Sequence, residues 1–116
     1  MTKKRLLAGR YILKDKVPVL EPDLLKWARA FEDFKARRVD RTEFPNGTYV
    51  STVFLGLDHQ FLDGPPLLFE TMIFNDDSGR ESYCDRCSTW DEAVEMHKRA
   101  VYMVGDRYVA SQSAQK

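Results

Sequence analysis

The chain has 116 residues, 18 Lys and Arg against 18 Asp and Glu, and 43% hydrophobic residues. That length suits one domain able to bury a core without staples, and the charge balance argues against general nucleic-acid binding through a positive field. No stretch approaches the ~20 apolar residues of a membrane-spanning helix. The basic start runs into LLAG and more charge instead of a signal peptide's apolar segment of roughly seven to fifteen residues, so a cytoplasmic location is expected.

Residues 1–9 are expected to form a flexible basic arm: Lys3, Lys4 and Arg5, followed by Arg10, Lys14 and Lys16, stand against a single nearby acid, Asp15. Arg10–Leu13 suits a short edge strand, and Pro18 and Pro22 keep the chain extended. Pro22 fits the first position of a helix, with Glu21 and Asp23 near its positive end. Leu24, Trp27, Ala28, Phe31 and Phe34 then recur at spacings of three and four. They predict an amphipathic helix with Trp27 and Phe31 in the core and Lys26, Arg29, Glu32, Asp33 and Lys35 outside.

The charged run Arg37–Phe44 alternates, and Val39–Phe44 reads as an edge strand. Asn46-Gly47 predicts a type I′ hairpin turn into the next strand, since both residues tolerate positive φ. Tyr49–Leu57 places Tyr49, Ser51, Val53, Leu55 and Leu57 on one face and Val50, Thr52, Phe54 and Gly56 on the other. Leu67–Phe74 repeats the pattern. Strands apolar on both faces are central and covered twice. Glu70 breaks the rule, so it marks a buried ion pair with an arginine or a site.

Asn75–Arg80 reads as a turn and Glu81–Cys87 as a fourth strand. Ser88 or Thr89 caps a second helix, with Asp91 and Glu92 in its first turn. Its stripe is Trp90, Ala93, Val94, His97, Val101 and Val104, and Gly105 ends it. Residues 107–116 form a polar tail expected to be disordered. The expectation is a single α+β domain over residues 10–106: an antiparallel meander of three or four strands with two amphipathic helices packed on it. If both helices share one face, the other calls for a partner, and a homodimer supplies one.

The loop GLDHQFLDGPPLL between the central strands is longer than the roughly two to five residues of ordinary hairpins, and such loops are often functional. It presents Asp58, His59 and Asp63, with Glu70 just beyond; these groups are candidates for ligand binding, a divalent metal or acid/base chemistry. Asp58 is equally suited to accept hydrogen bonds from loop amides. Arg80, Tyr83 and Arg86 could meet an anionic ligand. Cys84, Cys87 and His97, with His59 from the loop, have zinc-ligating chemistry, but CxxC alone is half a site and His97 falls on a buried stripe. A CxxC redox role lacks the parallel βαβ setting. No catalytic motif is complete.

The strings VSTVFLGLDHQF, GPPLLFETMIF and CSTWDEAVEMH, with YIL, EPDLLKWARAFED and RRVDRTE before them, resemble a family of small proteins frequent in tailed-phage and prophage genomes. The resemblance covers about residues 10 to 104; the basic extension, the NDDSGR turn and the polar tail fall outside it, and the cysteine pair departs from its pattern. It implies a cytoplasmic accessory protein made during infection or lysogeny, and carries no catalytic residues. The function expected is therefore non-enzymatic binding of a host protein or a small anionic ligand, for example as a counter-defence factor. The alternatives are a small metal-dependent or acid/base enzyme using Asp58, His59 and Glu70, and nucleic-acid binding through the basic arm and Arg37, Arg38 and Arg41.

Overall fold

The computed structural model describes residues 9–75 and 80–114. A hairpin of β1 (Tyr11–Lys14) and β2 (Val17–Leu20) leads into helix α1 (Leu24–Glu32) and the one-turn helix α2 (Phe34–Arg37). An antiparallel meander follows: β3 (Arg38–Glu43), β4 (Tyr49–Phe54), β5 (Phe69–Asn75) and β6 (Arg80–Cys87), in that spatial order. The long helix α3 (Trp90–Ala114) closes the fold. The α+β class and the antiparallel meander are those expected from the sequence.

Alternation decides which face of the sheet is buried. In β4, Val50, Thr52 and Phe54 are buried while Tyr49, Ser51 and Val53 are half-buried. The register sets Val50 beside Ile73, Thr52 beside Thr71 and Phe54 beside Phe69. Helix α3 lies on this face, presenting Ala93, Met96, His97, Ala100 and Val104, all buried. The spacing of three and four is that of one helical stripe. Ala93 and Ala100 lack bulk, so the helix backbone comes close enough for Phe54, Phe69 and Met96 to interlock at one end and Val50, Ile73 and Val104 at the other. The start of α3 is fixed by a reciprocal cap. The Thr89 hydroxyl accepts from Glu92 N at 3.1 Å, and Glu92 Oε1 accepts from Thr89 N at 3.1 Å.

The N-terminal unit meets the sheet at its end. Gly56 has φ of +77°, which turns the chain out of β4. Its carbonyl accepts from Tyr11 N at 2.8 Å and from the Trp27 indole at 2.9 Å. A Cβ at Gly56 would lie 3.3 Å from the Phe31 ring. Trp27 and Phe31 stack with centroids 4.9 Å apart, which is why α1 docks here.

Several boundaries differ from expectation, each for a visible reason. Asp23, not Pro22, opens α1: its carboxylate accepts from Leu25 N and Lys26 N as the N-cap, so the first helical residue is Leu24. The helix breaks at Asp33, which caps α2 through Ala36 N and takes Phe34 off the α1 stripe; Phe34, and Leu24 at the first position of α1, are exposed instead of buried. Residues 17–20 form a strand despite Pro18, because Asp15 and Lys16 both adopt positive φ and turn the chain back. The PNG turn has only Gly47 at positive φ, and Gly47 N donates to Phe44 O. Pro45 cannot take positive φ, so the loop is a type I turn with a left-handed glycine, not type I′. The central strands end at Phe54 and start at Phe69, so Leu57 and Leu67 fall in the loop. Helix α3 does not stop at Gly105 but continues to Ala114, where a disordered tail was expected, and Tyr108 packs on Phe44 beyond that glycine. The two expected helices do not share the sheet: α3 covers it, and α1 packs against β1. The basic arm at residues 1–8 and the Asp76–Gly79 part of the expected turn lie outside the described residues.

Trp27 and Gly56 form the joint between the two units. Gly56→Ala is expected to cost about 1–2 kcal/mol, through positive φ and the Phe31 contact. Trp27→Phe, which loses the indole donor and part of the ring packing, is expected to cost about 1–3 kcal/mol. Urea unfolding monitored by circular dichroism measures both.

Candidate functional site

The loop that the sequence singles out is built around Asp58. Its carboxylate accepts from Gln60 N at 2.8 Å and from Leu67 N at 3.0 Å, pinning both limbs of the loop. Such a carboxylate replaces missing backbone partners in an irregular segment. His59 turns Nδ1 to Leu57 O at 2.9 Å, and Asp63 is exposed. The outermost side chains are apolar: Phe61 is 86% and Leu62 78% exposed.

Glu70 lies elsewhere, on the sheet face opposite α3. It pairs across strands with Arg86, whose Nε donates to Glu70 Oε2 at 2.8 Å. Cys84 Sγ reaches the same oxygen at 3.5 Å. The carboxylate of Glu70 is nearly buried, so the guanidinium offsets a desolvation cost that an apolar strand would otherwise not meet. Tyr83 falls on the α3 face, its hydroxyl donating to Asp85 Oδ2 at 3.2 Å. Burial, with the Asp85 charge beside it, raises the Tyr83 pKa. The Arg80 side chain lies outside the described residues. The seven candidate residues are thus not one constellation: Asp58, His59 and Asp63 belong to the loop, Glu70 and Arg86 to one sheet face, Tyr83 to the other.

The zinc-type ligands are also dispersed. Cys84 pairs with Met72 on the open face, and Cys87 pairs with Phe69 on the α3 face, because positions three apart in a strand point oppositely. Burial pushes the Cys87 thiol up to about 11. Among the described residues no group of three His, Cys, Asp or Glu could hold a metal ion. The arginines proposed for nucleic acid diverge as well. Arg37 turns inward, Nε donating to Phe54 O at 3.0 Å and Nη1 to Phe31 O at 2.9 Å, while Arg41 lies 4.1 Å over the Tyr49 ring and donates to Glu43.

His97 is buried, with 2% of its surface exposed. Its Nδ1 is 2.7 Å from the Thr52 hydroxyl and its Nε2 2.9 Å from the Thr42 hydroxyl. Thr52 is bonded in turn to Thr71, forming a polar chain across three strands and the helix. The Asp40 carboxylate stands 3.7 Å from Nε2. Burial lowers the His97 pKa, with Asp40 acting in the opposite direction. Both ring nitrogens are engaged with hydroxyls, so the neutral imidazole serves the core.

Among the described residues no helix packs on the other face of the sheet. Tyr49, Ser51 and Val53 of β4, Glu70, Met72 and Phe74 of β5, Cys84 and Arg86 of β6, and Arg41 of β3 lie on it. Tyr49 and Phe74 stack at 4.9 Å, nearly parallel. The sequence showed that both faces of these strands were apolar. It did not show that the described helices would cover one face and leave the other.

Two measurements test these assignments. His97 gains a proton more readily in the unfolded chain, so stability should be constant above pH ~6.5 and fall as pH drops below it, by up to about 1.4 kcal/mol per unit. The fall should shrink in His97→Asn, read from urea midpoints between pH 5 and 8. Removing Arg86 strands the carboxylate, so Arg86→Ala should cost about 1–3 kcal/mol, with about half recovered by adding Glu70→Gln; calorimetry distinguishes this from a ligand role, in which stability would hardly change. Comparison of the chain with protein-family models, with curated proteins and with solved structures finds no match.

Proposed function

We propose that the protein is a non-enzymatic binding module that engages a protein partner through the open face of its β3–β6 sheet. The observation that carries this reading is the single cover: α3 packs on one face, and the other holds Tyr49, Phe74, Met72, Val53 and arginines without a covering element among the described residues. Aromatic residues, Met and Arg are the types enriched where proteins meet. The polar groups of this face are already organised. Arg41 is held between Tyr49 and Glu43, and Arg86 by Glu70, so a partner meets pre-ordered side chains at a reduced entropic cost.

Size constrains the contact. Four strands ~4.8 Å apart and ~20 Å long present roughly 400 Å². A standard interface buries about 800 Å² on each side, so the sheet face would supply the centre and neighbouring segments the rim. The acidic loop has a weaker claim as a chemical site, because its Asp58 is committed to backbone amides. The resemblance to phage proteins suggests a setting in which the partner is a host protein and the outcome is counter-defence. Among the described residues no helix is long and apolar enough to cross a membrane.

A photo-crosslinking amino acid placed at Ser51, in the cell that carries the gene, is expected to trap one predominant protein. The same group at exposed Asp91 on α3 should not trap it. Met72→Glu should remove the Ser51 adduct while leaving the circular dichroism spectrum intact. Indistinguishable adducts from Ser51 and Asp91 would sink the proposal.

A further inference from the structure

We infer that α3 pairs antiparallel with α3 of a second copy of the chain, Tyr102 of each seating on Gly105 of the other. The surface concerned is separate from the open sheet face. A groove of about 430 Å³ runs between α3 and the edge strand β3, lined by Phe44, Val101, Tyr102, Gly105, Asp106 and Val109, with Thr42 and His97 at its inner end.

Gly105 is the anomaly. It sits inside a 25-residue helix, where glycine costs stability relative to alanine. It has no positive φ to require glycine, and a Cβ built there would meet nothing within 4 Å. No contact within the described chain therefore calls for the missing side chain; it leaves a notch in the groove wall. One helical turn earlier stands the complementary shape, Tyr102, 75% exposed, and one turn later Val109, 63% exposed. Positions 102, 105 and 109 follow the three-and-four spacing by which one helix seats side chains in the holes of another.

A surface that carries both a knob and a notch that fits it is self-complementary, and a two-fold axis sets each knob on the partner's notch. Charge selects the orientation. Lys98 lies on the N-terminal side of the pair and Asp106 on the C-terminal side, and both line the groove. Antiparallel pairing brings the Lys98 end of one helix to the Asp106 end of the other, twice. Parallel pairing would set lysine beside lysine and aspartate beside aspartate. Within its own chain Lys98 reaches Glu95, at 3.4 Å and largely in solvent, a pair weak enough to exchange. The dimer so formed leaves both open sheet faces outward, so it neither needs nor prevents the binding proposed above.

Sedimentation velocity of the full chain over a wide concentration range tests the pairing. The wild type is expected to show a concentration-dependent monomer–dimer equilibrium. Gly105→Leu fills the notch and should raise the dissociation constant about tenfold or more, while the thermal midpoint at monomer concentrations stays at or above wild type, because leucine favours helix. Tyr102→Ala, at an exposed position that folding does not depend on, should weaken the dimer as much. Lys98→Asp and Asp106→Lys should each weaken it, and the two together should restore it. A wild type that stays monomeric throughout, a dimer indifferent to Gly105→Leu and Tyr102→Ala, or a charge swap without recovery would overturn the inference.

Discussion

The packing of α3 on one face of the meander is the constraint from which the other features follow. Two alanines, Ala93 and Ala100, are fully buried and set the distance of closest approach. At that distance Met96 reaches Phe54 and Phe69, and His97 reaches hydroxyls on three strands directly or through one intermediate. Apolar contacts alone tolerate sliding of a helix along a sheet. A chain of hydrogen bonds from Thr71 through Thr52 and His97 to Thr42 does not, because one register satisfies every member and a shift strands several of them. The network therefore specifies the register, and the apolar burial around it supplies the stability.

A second effect of the same packing is asymmetry. A helix long enough to cover the whole sheet was built on one side, while α1 was drawn to the Gly56 carbonyl and the β1 hairpin. The second face of the sheet thereby keeps its half-apolar side chains and the pair of nearly buried Glu70 with exposed Arg86. Glu70 and Arg86 are neighbours only because β5 and β6 pair in a particular register. The pair is a product of topology and holds no information about chemistry by itself.

Much of this architecture could be read from residue patterns. The alternation in Tyr49–Phe54, the T-x-x-E box at Thr89–Glu92 and the apolar stripe of α3 are local signals, and they set local structure. An arginine partner for Glu70 was also expected, since few other groups make a carboxylate tolerable in such a strand. What escaped was decided over longer range or by unusual backbone. The Asp15–Lys16 turn has no glycine, so β2 carried no turn signal. Asp33 looked like one more outward charge and acts as a cap. Met96 and Ala100 joined the core because the sheet lies where it does. Gly105 has the form of a helix stop, but Tyr108 and Phe44 hold the next turn. The candidate site fared worse for a similar reason: sequence proximity gathered Asp58, His59 and Glu70, and strand pleating separated Glu70 from the loop.

The Gly56 joint has one further consequence. Helix α1 has no fully buried residue, and its unit meets the sheet and the following loop through the shared Gly56 carbonyl, the Arg37 bond to Phe54 O, the Asp58 N to Gly9 O bond, the Arg10–Leu57 bridge, and Tyr11 and Leu13 packed on the Phe54 cluster. Among the described residues, the fully buried apolar side chains belong to the meander and α3, apart from Leu68 in the loop just before β5. Two cooperative units of unequal strength result, and the weaker one can open without the stronger. Amide protons of β1, β2 and α1 would then exchange through a local, inexpensive opening, while those of β4 and β5 would wait for global unfolding. Because Tyr11 and Leu13 lie against the Phe54 cluster, any such opening would also expose that end of the core to solvent.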